Sequence, residues 1–204
     1  IVTRFYNIGI TAYGFGEIGL AAYLTIGYIA LIILTVFLGI AQGIQPLVSY
    51  FHGRGEHDRS RALMAFLLKT TAALGLVLYG AVLFLSRGFI AVFTPGDAEL
   101  IGFTHDKASV YFSGFVFAGI SIVTITYFQS IGKAGTAFVL ALLRSVVLVP
   151  VFLVVLPALL GRDSIWMALS VAELAAFAVS LYLYRRAARP VTTADYRYPT
   201  PSWT

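Results

Sequence analysis

Apolar residues in this chain do not alternate or keep to one helical stripe; they fill long, nearly unbroken stretches. Five can be delimited, at about 19–49, 62–86, 108–130, 135–157 and 164–184. Each reaches the roughly 20 residues a helix needs to cross a hydrocarbon core. A backbone in lipid must satisfy its own hydrogen bonds, so each stretch predicts a membrane-spanning helix. The first is longer than a span requires, which predicts tilt, a kink near Pro46 or a protruding end. Residues 1–12 read as the final turns of a further helix whose beginning is missing. The fold class expected is therefore all-α: a polytopic membrane helix bundle with five complete spans plus the end of a sixth, over residues 1–189. The remainder, 190–204, has three prolines and no apolar periodicity, and reads as an exposed tail.

The polar positions inside the spans are the next signal. In the first complete span Tyr28, Thr35, Gln42 and Ser49 recur every seven residues, and Gln45 follows Gln42 by three, so they share a helix face. Such a stripe is expected to face other helices or a watered cavity, either as interhelical hydrogen-bond glue with close packing at Gly39 and Gly43 or as cavity lining. The third complete span is rich in aromatics and hydroxyls, among them Phe117, Ser121, Tyr127 and Phe128. These either hold a lipophilic cation or pack against lipid and neighbouring helices. Two charges lie deep: Arg144 in LLRSVVLVP and Glu173 in LSVAELAAF. Alone near the bilayer centre each would cost about 2.5–3.5 kcal/mol. Adjacent antiparallel helices would let them pair, either as a static pair that fixes helix register or as a site where Glu173 carries a coupling proton.

Composition narrows the class further. Hydrophobic residues are 59% of the chain and charged residues 11%, too little charge for the surface of a soluble domain. The net charge of +5 comes mainly from Arg at the ends of apolar runs, which marks membrane orientation and not a nucleic-acid footprint. Arg54, Arg59 and Arg61 follow the first span, Lys133 follows the third, and Arg185, Arg186 and Arg189 follow the last. The alternate boundaries hold Asp97, Glu99, Asp106 and Lys107 in a loop at 94–107, and Arg162 beside Asp163 at 161–163. Basic residues at every second boundary place the C-terminus in the cytoplasm. The chain opens on Ile1 and not Met, with no charged segment ahead of a short apolar core, so Ile1 is not expected to be the natural start. No cysteine is present, and His52, His57 and His105 do not fall at metal-ligand spacing. Nucleotide-binding glycine patterns are missing too. No catalytic residue, metal site or cofactor is expected, and the chain does not read as an enzyme.

The succession NIGITAYG–GEIGLAAYLTIGYI, GIAQGIQPLVSYFHGRGEHDRSRA, YFQSIGKAGTAFVLALLRSVVLVPVFLVVLP and SIWMALSVAELAAF resembles the C-terminal half of a multidrug and toxic compound extrusion (MATE) transporter, most closely the MepA-like branch. The resemblance runs to about Arg189. It implies twelve helices in two pseudo-symmetric lobes, with residues 1–12 ending the seventh helix and the five complete spans forming the eighth to twelfth. It also implies a secondary active antiporter in the prokaryotic plasma membrane, exporting cationic amphipathic compounds in exchange for H+ or Na+ by alternating access against an N-terminal lobe. Some branches carry a cation-binding acid on the seventh or tenth helix, but residues 1–12 and 108–130 hold none. Coupling is then expected in the missing half or at Glu173. Two other readings stand beside this one: a lipid-linked oligosaccharide flippase of the same superfamily, which would need more cations along its cavity, and a non-transporting membrane scaffold.

Overall fold

The computed structural model describes residues 2–187, and each of its elements is helical: α1 (Val2–Ala12), α2 (Gly16–Gly53), α3 (His57–Phe93), α4 (Ala98–Phe112), α5 (Phe115–Ser130), α6 (Ala134–Leu142), a π-helical turn (Leu143–Leu148), α7 (Val149–Leu160), a 3-10 segment (Arg162–Met167) and α8 (Ala168–Ala187). Helices closed on themselves are what a chain this apolar has available in lipid. The tail at 190–204 lies outside the described residues. Four helical stretches are long and apolar enough to cross a bilayer: Gly16–Gly53, His57–Val92, Ala134–Leu160 and Arg162–Ala187. α4 and α5 pass the same test as one pair, bent by 43°.

That pair corrects the expected span at 108–130 and the expected loop at 94–107. The helix starts at Ala98, because Asp97 caps it by accepting a hydrogen bond from the Leu100 amide at 2.9 Å. Leu100, Thr104, Ala108 and Tyr111 then turn one face into the core, while Glu99 and Asp106 stay on the exposed side. The acids that suggested a loop are the wet face of a helix. The pair breaks at Ser113–Gly114, where α8 comes unusually close: a Cβ at Gly114 would lie 2.4 Å from the Ser170 Cα. Ser170 Oγ accepts from the Gly114 amide at 3.1 Å and lies 2.8 and 3.0 Å from the Val110 and Tyr111 carbonyls. One hydroxyl thus answers the backbone groups that the break frees.

α5 is the hub, packed against α2, α3 and α8. Its close approach to α3 depends on Gly75 and Gly119, whose added Cβ atoms would lie 2.9 Å from the Val116 Cα and 2.6 Å from Phe37 and Thr71. Gly39 and Gly43, expected to be close-packing points, have nothing within 4 Å. α2 runs on through Pro46 as one helix. The π turn precedes Pro150, whose missing N–H cannot bond the Val146 carbonyl in an α register.

The turns separate into two ends. At one, Ser49 Oγ donates to the Ser130 carbonyl at 3.2 Å, joining the end of α2 to the end of α5. At the other, Lys107 pairs with Asp163 at 2.8 Å, and Phe15, Phe103 and Trp166 pack edge to face. The first end carries Arg54, Arg59, Arg61, Lys133, Arg185 and Arg186 with Glu56 and Asp58; the second carries Asp97, Glu99, Asp106 and Asp163 with Lys107 and Arg162.

Candidate functional site

Arg144 and Glu173 sit where water is scarcest. Arg144 lies about 15 Å from one end of its span and Glu173 about 16 Å from the opposite end of its own, at 1.5 Å of rise per residue. The structure brings them together: Arg144 Nε donates to Glu173 Oε2 at 2.8 Å and Nη2 lies 2.7 Å from Oε1. Their side chains are only 16% and 5% exposed, so the fork-to-fork geometry offsets a large desolvation cost. α8 supplies the acid from a buried face shared with Ala172, Ala176 and Ser180. The π turn supplies the base, and it is the one π element among the described residues.

Beside the pair lies a tyrosine cluster that sequence reasoning did not single out. Tyr6 and Tyr23 stack at 4.7 Å, and Tyr111 meets both edge-on at 5.7 and 6.3 Å. Tyr6 Oη accepts from the Leu169 amide at 2.9 Å, answering a donor at the start of α8. Three tyrosines on three separate helices carry no periodic signal, so only the tertiary structure assembles them.

Arg144 separates two cavities. One, of about 270 Å³, is lined by Thr3, Tyr23, Tyr111, Phe115, Ser145 and Glu173 among others. The second, of about 440 Å³, is lined by Leu38, Gln42, Gln45, Ile122, Ile125, Thr126, Gln129 and Ala141; Arg144 borders both.

The stripe on α2 divides along its length. Gln42 and Gln45 line the second cavity, and Ser49 ties α2 to α5. Tyr28 (55% exposed) and Thr35 face away from the described core, and the Thr35 hydroxyl donates to the Leu31 carbonyl of its own helix at 2.8 Å. The aromatic and hydroxyl set on α5 is engaged in helix packing, the second of the two roles open to it. Ser121 is 0% exposed and bonds the Phe117 carbonyl at 3.2 Å, Phe117 packs on Phe177 at 5.2 Å, and Phe128 is buried with Ala137 and Leu140. Tyr127 packs edge-on against Tyr184. Helix packing claims these four because α5 is the hub, surrounded on most of its circumference. Gln129, at the rim, faces the second cavity instead.

Among the described residues no group of three or more His, Asp or Glu could hold a metal ion. At the basic end, Glu56 bridges Arg54 (3.1 Å) and Arg59 (2.6 Å), and Arg61 pairs with Asp58 at 2.7 Å. These exposed pairs stiffen the α2–α3 turn and form no reactive centre.

The model of the MatE family matches residues 4–155. No curated protein matches the chain. Among solved structures it is similar to a MATE protein in complex with MaL6 (TM-score 0.84, 17% identity). It is also similar to a multidrug resistance MATE family transporter of the MOP superfamily in an outward-facing conformation (TM-score 0.84, 18% identity), and to a MOP superfamily transporter from Pyrococcus furiosus with a binding pocket of reverse polarity (TM-score 0.84, 17% identity). Each match covers 92% of this chain and 42% of the solved chain.

Proposed function

The chain belongs to the MatE family, and from that premise we propose that it forms the C-terminal lobe of a secondary active exporter of cationic amphipathic compounds, working with an N-terminal lobe and driven by entry of H+ or Na+. The observation that carries this reading is the arrangement around Arg144: a buried ion pair at mid-depth with a cavity on either side. Ionisable groups at that depth in a membrane protein mark pathways and switching elements. The exposed face of α2, from Leu24 through Tyr28, Leu31 and Ile32, is where a second lobe would rock against this one. A cytoplasmic C-terminus in a prokaryotic plasma membrane is part of the proposal, supported by the excess of basic residues at the Arg54–Arg61, Lys133 and Arg185–Arg186 end over the opposite end.

Glu173 is the one acid placed at mid-depth among the described residues, and a bidentate guanidinium already holds it. Coupling through Glu173 requires that pair to open; otherwise the coupling ion binds in the other lobe. An oligosaccharide flippase calls for several cations along the path, whereas Arg144 is the sole cation lining either cavity. Full-length protein reconstituted into liposomes tests the proposal. Movement of a fluorescent cationic dye should follow an imposed proton or sodium gradient, and no movement under either would refute it.

A further inference from the structure

α3 is longer than a bilayer crossing needs, and two cations mark where the excess lies. Lys69 and Arg87 sit 12 and 6 residues from its ends, 18 residues apart on one unbroken helix. That spacing is about five turns, so the two share one line along the helix, about 27 Å apart at 1.5 Å per residue. A hydrocarbon core is about 30 Å thick. We infer that this face of α3 is the lipid-facing side of the lobe, where Lys69 and Arg87 bind the headgroup phosphates of anionic phospholipids in the two leaflets. The inference stands apart from the transport reading, since it concerns what covers the lobe and not what crosses it.

The residues between and around the two cations select lipid as the occupant. Residues 70–86 hold no charged side chain. On the face shared with the cations, Leu76, Val77, Leu83 and Phe84 are all exposed, Phe84 by 86%. Lys69 and Arg87 are exposed as well, and no acid among the described residues pairs with either. A protein partner would have to bring one acid to each edge of the core, whereas a bilayer presents phosphate at both. The open side of α2, proposed above to meet a second lobe, is the contrast: α2 contains no Lys or Arg. Cations bracket one exposed face and are missing from the other.

The side chains suit the task. Each can lay its apolar stem along the helix while the charged head reaches past the edge of the core. Lys69 has the easier reach, because side chains on a helix lean toward its N-terminus, which is here the outer end. A guanidinium can take two phosphate oxygens at once, and an ammonium acts as a point charge. An anionic headgroup is preferred to a zwitterionic one, since a choline beside the phosphate already neutralises it.

Full-length protein is reconstituted into phosphatidylcholine bilayers containing phosphatidylglycerol, with a bimane attached at Ala73→Cys or Leu83→Cys. Each label lies one turn inward from a cation. Quenching by a nitroxide on the acyl chain of either lipid reads which lipid sits beside the label. Phosphatidylglycerol should be preferred about fivefold at both positions, the scale of one cation beside an anionic surface. Lys69→Gln should abolish the preference at the Ala73 position and leave that at the Leu83 position. Arg87→Gln should do the reverse, so each variant carries its own control for folding. The inference is overturned if neither label is quenched, which would place the second lobe or another copy of the chain on this face. It is overturned too if both lipids quench alike with Lys69 and Arg87 in place, or if either substitution alters both ends equally.

Discussion

Two of the membrane-spanning stretches depart from α-helical geometry, and they do so in opposite ways. At Ser113–Gly114 the α4–α5 pair bends between Phe112 (0% exposed) and Phe115 (3%), and a serine from α8 fills the gap. At Leu143–Leu148 the helix widens into a π turn in which no residue is fully enclosed and the Arg144 side chain keeps 16% exposure, and its one strong side-chain tie is the Arg144–Glu173 pair. The first interruption is answered by an outside donor and acceptor that fit one geometry. The second keeps its hydrogen bonds within its own backbone, where a register change costs little. A break held by its neighbours is a joint fixed in place; a break held by itself can move. π turns are frequent at functional positions, and this one presents the only cation on either cavity wall.

The contrast can be broken in four places. The largest expected effect is at the tie: Glu173→Ala leaves a buried guanidinium unpaired and should cost about 3–5 kcal/mol, read as a loss of full-length protein in SDS or thermal unfolding. Replacing both Arg144 and Glu173 by Met should recover most of that loss, and simple addition of the two single losses would contradict the pairing. Next, Gly114→Ala drives a methyl into the α8 backbone and should cost about 3 kcal/mol, at the upper end of overpacking effects. Ser170→Ala strands the Gly114 amide and should cost about 1–3 kcal/mol by the same assay. The smallest effect belongs to Pro150→Ala, which permits the π turn to relax to an α register. Stability should move by less than about 1 kcal/mol, while deuterium exchange at amides 144–149 slows. If Pro150→Ala proved as damaging as Gly114→Ala, the two interruptions would not differ as described.

Much of this architecture was legible in sequence, for reasons that differ by residue. The long apolar runs declare their helices because lipid leaves the backbone no alternative. Arg144 and Glu173 were expected to meet because neither charge is tolerable alone at that depth. The bend at Gly114 was not legible, since YFSGFVF carries aromatics on both sides of the Ser113–Gly114 step and the cause lies in α8. The start of α4 was present as a signal, with Leu100, Thr104, Ala108 and Tyr111 at helical spacing, but the acids between them suggested a loop. The π turn depends on how Pro150 is accommodated, which composition does not encode. Among the site residues, type and spacing left Gln42 and Gln45 open to either interhelical glue or cavity lining, and the two residues border a cavity. The α5 aromatics did not separate into packing and lining until α5 was seen at the centre of the bundle.

The hairpin of α2 and α3 has a mechanical consequence. Its arms are 38 and 37 residues long, or about 55 Å at 1.5 Å per residue, against a hydrocarbon core of about 30 Å. The Arg54–Glu56–Arg59 bridges splint the turn at its tip, so the hairpin is a long stiff rod pivoted inside the bilayer. Rotating such a rod by about 10° around its midpoint would carry the tip through about 5 Å of arc, given its length. The loop at 54–56 is thus a pointer outside the membrane, where an attached spin label or fluorophore would magnify small rotations of the buried bundle into distances a spectrometer can resolve.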